Sequence, residues 1–285
     1  MTRTRASGGE IWRLMDQNWR HYRIRAQSQA LRFINAVGFC YAFTPGPGSL
    51  PSLFEVLDTR SDHVRWAWAW DWKEALPTAK RAFYGRVLAR KPTFVSMALL
   101  PYFYAMTGNV GQDDDHLRLY GEGRLTALAR RVYELLAHRG RLTTRQIRAE
   151  VEPDRRGSSA RLLRALAELQ NLFLLARVGE VGNNPGNYAY VWDLFARWLP
   201  DVVAQASPIS HRAAAARVLE QYVRIAGAPR PADAASLFTW SPRITGTAIA
   251  DLHDAGTVSM VRGRMGEDRL VPRPARAGKD RRRRP

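Results

Sequence analysis

The sequence predicts a mainly α-helical protein with small β wings, built as tandem winged-helix-turn-helix modules. Three observations lead there. Apolar residues recur at helical spacing through most of the chain, with glycine, proline or hydroxyl residues at the breaks. From residue 124 the order helix, short helix, long helix, two-stranded hairpin occurs twice, the copies offset by about 85–90 residues. Each hairpin carries turn chemistry, Gly182-Asn183-Asn184-Pro185-Gly186 in one copy and Gly263-Arg264-Met265-Gly266 in the other.

Glu10 to Ala42 reads as two helices, the first on Ile11, Leu14, Met15, Trp19 and Tyr22, the second on Ala30, Phe33, Ile34, Val37 and Gly38. The run Thr44-Pro45-Gly46-Pro47-Gly48-Ser49 stops any helix, and Leu50 to Leu57 starts a short one capped by Ser49 or Ser52. In Trp66-Ala67-Trp68-Ala69-Trp70-Asp71-Trp72 the tryptophans alternate at period two, which predicts a strand with all four on one face. Lys80 to Arg90 reads as a basic amphipathic helix, and Val95 to Tyr104 is apolar enough to be buried. The polar stretch Asn109 to His116 is the expected first boundary.

In the second block Arg124 to Arg139 is a helix ended by Gly140, and Thr143 or Thr144 caps a short helix to Val151. Ser158 caps a long helix to about Ala176 on Leu162, Leu163, Leu166, Leu169 and Leu172, and strands 176–179 and 188–192 follow. The third block places helices at Arg212 to Ile225, from Arg230, and at Thr245 to Ala255, then strands Val258 to Arg262 and Leu270 to Pro272. The expected division is an N-terminal helical or winged-helix-like unit (1–112), a central winged helix (117–204), a C-terminal one (208–274) and a basic, disordered tail (275–285).

Charge is the informative part of the composition. Forty-four Lys and Arg against 26 Asp and Glu give +18 over 285 residues, and most of the cations are Arg, whose planar fork suits phosphate. The segment Arg273 to Pro285 holds seven basic residues and one acid, leaving +12 on the rest. A field of that sign favours a polyanion, with nucleic acid first; an arginine-rich solvated surface and an acidic membrane or protein are the other readings. No apolar stretch reaches the ~18 residues of a membrane span, and the opening residues lack the apolar core of a secretory leader. A cytoplasmic, nucleoid-associated protein without membrane contact, and a monomer, is expected. The single cysteine, Cys40, excludes an intrachain disulfide and a thiolate zinc cage.

Winged helices set the third helix in the major groove and the wing near the backbone. In the central module that helix start offers Arg155, Arg156, Ser158, Ser159, Arg161 and Arg164, with a helix N-terminus to receive a phosphate. Asn183 and Asn184 in its wing, and Arg243 and Arg264 in the third module, complete the candidate DNA contacts. A solvated helix face and ordinary turn residues are the competing readings. The tryptophan run is either packed core or, flanked by Lys73, Lys80 and Arg81, a surface for an exposed or flipped base. The six histidines show no metal-ligand spacing, and Asp113-Asp114-Asp115-His116 reads as a solvated linker rather than a cation site. No phosphate loop, dinucleotide fingerprint or nucleophile elbow occurs, so neither metal nor cofactor is expected.

The third block carries Ala216, Tyr222, Gly227, Pro229, Asp233 and Trp240 in an Ala…Tyr…Gly-x-Pro…Asp…Trp pattern that resembles tandem winged-helix DNA glycosylases of the AlkZ/YcaQ type. The stretch from Phe33 through Val37-Gly38-Phe39-Cys40-Tyr41 to Ala105 is similar to the AlkZ-related branch, and the likeness covers about residues 10–272. The resemblance implies duplex DNA carrying alkylated or crosslinked purines as partner, and hydrolysis of the N-glycosidic bond. It further implies a glutamine, in a Gln-x-Gln or Gln-x-Asp motif after a Gly-apolar pair, that places the attacking water. Cys40 and Ala42 stand at those positions here, and Asp71 and Glu74 are the carboxylates that would substitute. A non-enzymatic DNA-binding protein, either a transcriptional regulator or one that shields lesions, is the alternative.

Overall fold

The computed structural model describes residues 18–43, 50–112, 114–154, 159–182, 187–263 and 265–273. After a 3-10 turn at Asn18–His21 come α1 (Gln27–Val37) and β1 (Phe39–Tyr41). The second expected helix therefore stops five residues early. Gly38 makes the stop: its φ of +77° suits glycine, and a Cβ there would lie 3.0 Å from Gln221 Cγ. Gln221, from the third helical block, closes against this corner and donates from Nε2 to the Val37 carbonyl at 3.0 Å.

The short helix α2 (Leu53–Val56) follows as expected, with Ser52 at its N-cap position. Next is α3 (Asp62–Thr78), and the expected tryptophan strand is wrong. Ser61 caps this helix by accepting from the Val64 amide, Asp62 lies in its first turn, and Ala67, Ala69 and Ala75 favour a helix. In a helix the four indoles split into two stripes, Trp66 with Trp70 and Trp68 with Trp72. The expected basic helix over Lys80–Arg90 is likewise wrong. The segment is β2 (Ala82–Leu88), hairpinned to β3 (Lys91–Ser96) through Ala89 and Arg90, both with positive φ. Strands β1, β3 and β2 form an antiparallel sheet in that order, Cys40 facing Phe94 and Phe83 facing Val95. Val95 and most of the following helix α4 (Leu100–Ala105) are buried, as the sequence indicates, with Tyr102 half-buried and Ala98 exposed before it.

The expected solvated acidic stretch divides: Asp114 is exposed, Asp115 and His116 are buried, and Asp113 lies outside the described residues. Asp115 opens α5 (Asp115–Gly121), is buried, and accepts from the Val110 and Gly111 amides at 3.0 and 2.8 Å. His116 stacks on Tyr133 at 4.3 Å, and among the described residues no cluster can hold a metal.

The central block runs α6 (Ala127–Arg139), β4 (Leu142–Thr143), α7 (Thr144–Val151), α8 (Ala160–Asn171), β5 (Leu175–Val181) and β6 (Ala189–Leu194). Thr143 and Gln146 form a reciprocal capping box on α7. Helix α8 ends five residues before the expected Ala176, its cap is Ser159, and Leu163 points outward with 52% exposure. Ser158 lies outside the described residues. Strand β4 adds a third strand to the hairpin, in the order β4-β6-β5.

Helices α9 (Phe195–Trp198) and α10 (Pro200–Ala206) lead to the last block: α11 (His211–Ala226), α12 (Pro231–Phe238), α13 (Pro242–Asp254), and the hairpin β7 (Val258–Arg262) with β8 (Asp268–Pro272). Both repeats thus have the element order expected from sequence. One hydrophobic core runs from Trp19 and the first sheet through Phe173, Val178 and Phe195 to Tyr222, Trp240 and Leu270. Trp19 donates from its indole to the Ile225 carbonyl at 3.2 Å, fastening the first described turn to α11. A second core fills the central block around Leu136, Ile147 and Leu169. No helix among the described residues is long and apolar enough to cross a membrane.

Candidate nucleic-acid interface

Helix α3 brings the unusual chemistry together because its periodicity sorts one tryptophan-rich run into an inner and an outer stripe. Trp68 and Trp72 stack at 5.6 Å with planes 12° apart, and Trp72 is buried. Trp66, Trp70 and Lys73, at i, i+4 and i+7, share the other side. Trp66 is 52% exposed and rests on Phe43, 5.6 Å away and nearly parallel, and on Phe54 at 4.7 Å. Trp70 is 46% exposed and touches Tyr188 of the central wing at 5.9 Å.

Beneath Trp70 lies a buried charge cluster. Lys73 is 1% exposed, and its Nζ sits 3.6 Å from the Trp70 ring centre. Lys73 pairs with Glu74 Oε1, while Arg177 of β5 pairs with Glu74 Oε2. Tyr188 donates its hydroxyl to Glu74 Oε1 at 2.8 Å. The Arg177 guanidinium lies 4.1 Å from the Tyr190 ring centre and 4.9 Å from that of Tyr84, and it donates to the Lys73 carbonyl. Burial lowers the Arg177 pKa and raises that of Tyr188, whose hydroxyl therefore stays a proton donor. Glu74 is thus held by two cations and a phenol. A carboxylate in that position braces α3 against the wing; it is poorly placed to take a proton from water. Asp71, the other carboxylate candidate, is exposed on α3.

The positions matched to the family's polar pair are both interior. Cys40 is fully buried in β1, and burial pushes its thiol far above the usual range, so it stays protonated and inert. Ala42 is buried, with its amide bonded to the Pro92 carbonyl at 3.0 Å. Between them Tyr41 is also buried and its hydroxyl is pushed up to about 12. The next residue, Phe43, is the ring on which Trp66 rests, so these positions lie at the root of the exposed tryptophan pair.

Of the expected DNA contacts, Arg155, Arg156, Ser158, Asn183, Asn184 and Arg264 lie outside the described residues. Ser159 is buried, and its hydroxyl accepts from the Leu162 amide as the cap of α8. Arg161 and Arg164 are exposed on the first turns of that helix. Arg243, on the first turn of α13, borders a groove of about 320 Å³ with His211, Arg212 and Thr247. Arg212 is anchored there by two bonds to Asp251, at 2.8 and 2.5 Å. Spacing in the sequence does not reveal that Lys73, Glu74, Arg177 and Tyr188 meet, nor that His211 and Arg212 line the groove beside Arg243. Spacing at i, i+4 and i+7 was the one available signal for the Trp66, Trp70, Lys73 stripe.

Architecture and surface together define a mainly α protein with small β wings whose repeated units present arginine at helix starts. The family model described as AlkZ related matches residues 24–239, most of the chain, and the protein belongs to that family. Its fold is similar to that of the Streptomyces sahachiroi DNA glycosylase AlkZ, with a TM-score of 0.56 and 15% identity over 94% of this chain and 70% of that one. No curated protein matched.

Proposed function

We propose that the protein binds duplex DNA as a repair protein of the glycosylase type and engages alkylated or crosslinked purines. The observation that carries this reading is its membership of the AlkZ-related family. The +18 charge and the exposed Arg161, Arg164 and Arg243 at the starts of equivalent helices support it. In this reading the units 117–204 and 208–274 lie along the duplex as winged helices, 1–112 carries the lesion site, and the basic tail 275–285 adds electrostatic grip. The protein works as a monomer in the cytoplasm, on the nucleoid.

A second reading rests on one specific observation, the burial of Cys40 and Ala42 where a water-holding pair is implied. The protein then holds the lesion and leaves the N-glycosidic bond intact. Abasic-site formation in a duplex containing N7-alkylguanine, scored by alkaline cleavage with binding measured in the same samples, separates the two. Cleavage above the protein-free control means base excision. Binding without cleavage, tighter than to undamaged duplex, means a lesion-holding protein, and equal binding to undamaged duplex without cleavage overturns both.

A further inference from the structure

We infer that Trp66 and Trp70 form a stacking ledge for a nucleobase displaced from the DNA helix, an assignment that rests on the proposal that the chain binds DNA. Large indoles half exposed on adjacent turns of one helix run against the usual burial of tryptophan. Neither ring is loose. Trp66 is backed by Phe43 and Phe54, and Trp70 is pinned by the Lys73 ammonium on its ring and by Tyr188 alongside. Each ring is therefore supported by protein while about half of it faces solvent. Positions i and i+4 are separated by ~6 Å along a helix axis, so the two rings belong to one site the size of a base or two.

The surroundings favour a nucleotide over an apolar partner. Locally Arg65, whose guanidinium lies 5.7 Å from the Phe54 ring centre, is paired with Asp62 at 3.0 Å, and Asp71 is exposed beside Trp70; the positive field comes from the chain as a whole, which carries +18. An aromatic surface in a positive field matches the two parts of a nucleotide, a π-face and a phosphate. Here the stripe consists of Trp66, Trp70 and, beneath them, a buried cation. The ledge also rises from Phe43, the residue after Ala42, so a base resting on it would lie beside the end of β1.

The test compares the full chain on two otherwise identical duplexes, one fully paired and one with a single bulged 2-aminopurine, by anisotropy and by 2-aminopurine emission. The expected result is tighter binding to the bulged duplex with a change in emission. Trp66→Ala and Trp70→Ala should each weaken that binding about fivefold or more, with binding to the paired duplex unchanged. Trp66→Phe should retain the preference. Equal binding of both duplexes by the parent chain, or a bulge preference that survives both alanine variants, overturns the ledge while leaving DNA binding intact. Absence of binding to either duplex overturns the DNA reading as well. Trp66 lies outside the buried charge cluster, so Trp66→Ala alone decides the matter if Trp70→Ala unfolds the chain. Should Trp66→Ala split a dimer in sedimentation without altering bulge binding, the ledge is a contact between copies and the inference fails.

Discussion

Replacing Glu74 by alanine should cost the protein a large fraction of its stability. The carboxylate neutralises Lys73 and Arg177 at once, and their side chains are only 1% and 4% exposed. Its removal leaves two buried cations and takes the carboxylate acceptor from the Tyr188 hydroxyl, and breaking one partner out of a buried pair typically costs ~3–5 kcal/mol. A domain has only ~5–15 kcal/mol to lose. With an m-value near ~3 kcal/mol/M, the midpoint of urea unfolding should fall by about 1–2 M. Circular dichroism gives the midpoint, and the m-value should stay unchanged. Much of the penalty is uncompensated charge, so Lys73→Met placed on Glu74→Gln should recover ~1 kcal/mol or more of what Glu74→Gln alone loses. A drop below ~1 kcal/mol for Glu74→Ala, or no recovery in the double variant, would refute the account of this cluster as a brace between α3 and the wing.

Cys40 should resist iodoacetamide in the native protein and react only at the rate of unfolding, because burial keeps its thiol protonated and out of reach; rapid labelling of the native chain would contradict the interior placement of β1. Cys40→Gln, which restores a carboxamide at the matched position, should destabilise by ~1–3 kcal/mol through overpacking against Phe94 and should create no base-excision activity. Arg212 holds the Asp251 carboxyl below its ordinary value of 3.8 and Arg130 does the same for Glu134 from 4.5. The sign follows: carboxylates with lowered pKa stabilise above those ordinary values, and the contribution disappears as pH falls through the lowered ones. The melting-temperature gap between the parent chain and Asp251→Asn should therefore be constant from pH 7 to about 5 and close below about pH 3.8; a gap that widens in acid would reverse the assignment.

How legible each part of the molecule is in its sequence follows from where the deciding interactions lie. The central and third blocks can be read because their punctuation is local: Thr143 and Gln146 close a capping box three residues apart, and glycines stand between the paired strands in the sequence of each hairpin. The first block hides its sheet. Its β2–β3 hairpin turns through Ala89 and Arg90, residues that carry no turn signature although both adopt positive φ. The tryptophan run fits period two in sequence because Ala67, Ala69 and Asp71 separate the indoles, but the segment is a helix, capped by Ser61. The brace is beyond any spacing argument, since Glu74 and Tyr188 are 114 positions apart. Glu74 stands out in sequence as a carboxylate near aromatic residues, but the partners that remove it from acid–base work come from the other side of the fold.

The most direct test of the central claim is the salt dependence of binding to a short duplex, with and without one N7-alkylguanine, measured with the full chain. The account predicts that log affinity falls linearly with log salt, at a slope of about −0.9 for each phosphate contacted, and that the alkylated duplex binds more tightly at every salt concentration. A flat salt response, or identical affinity for the two duplexes, would contradict it.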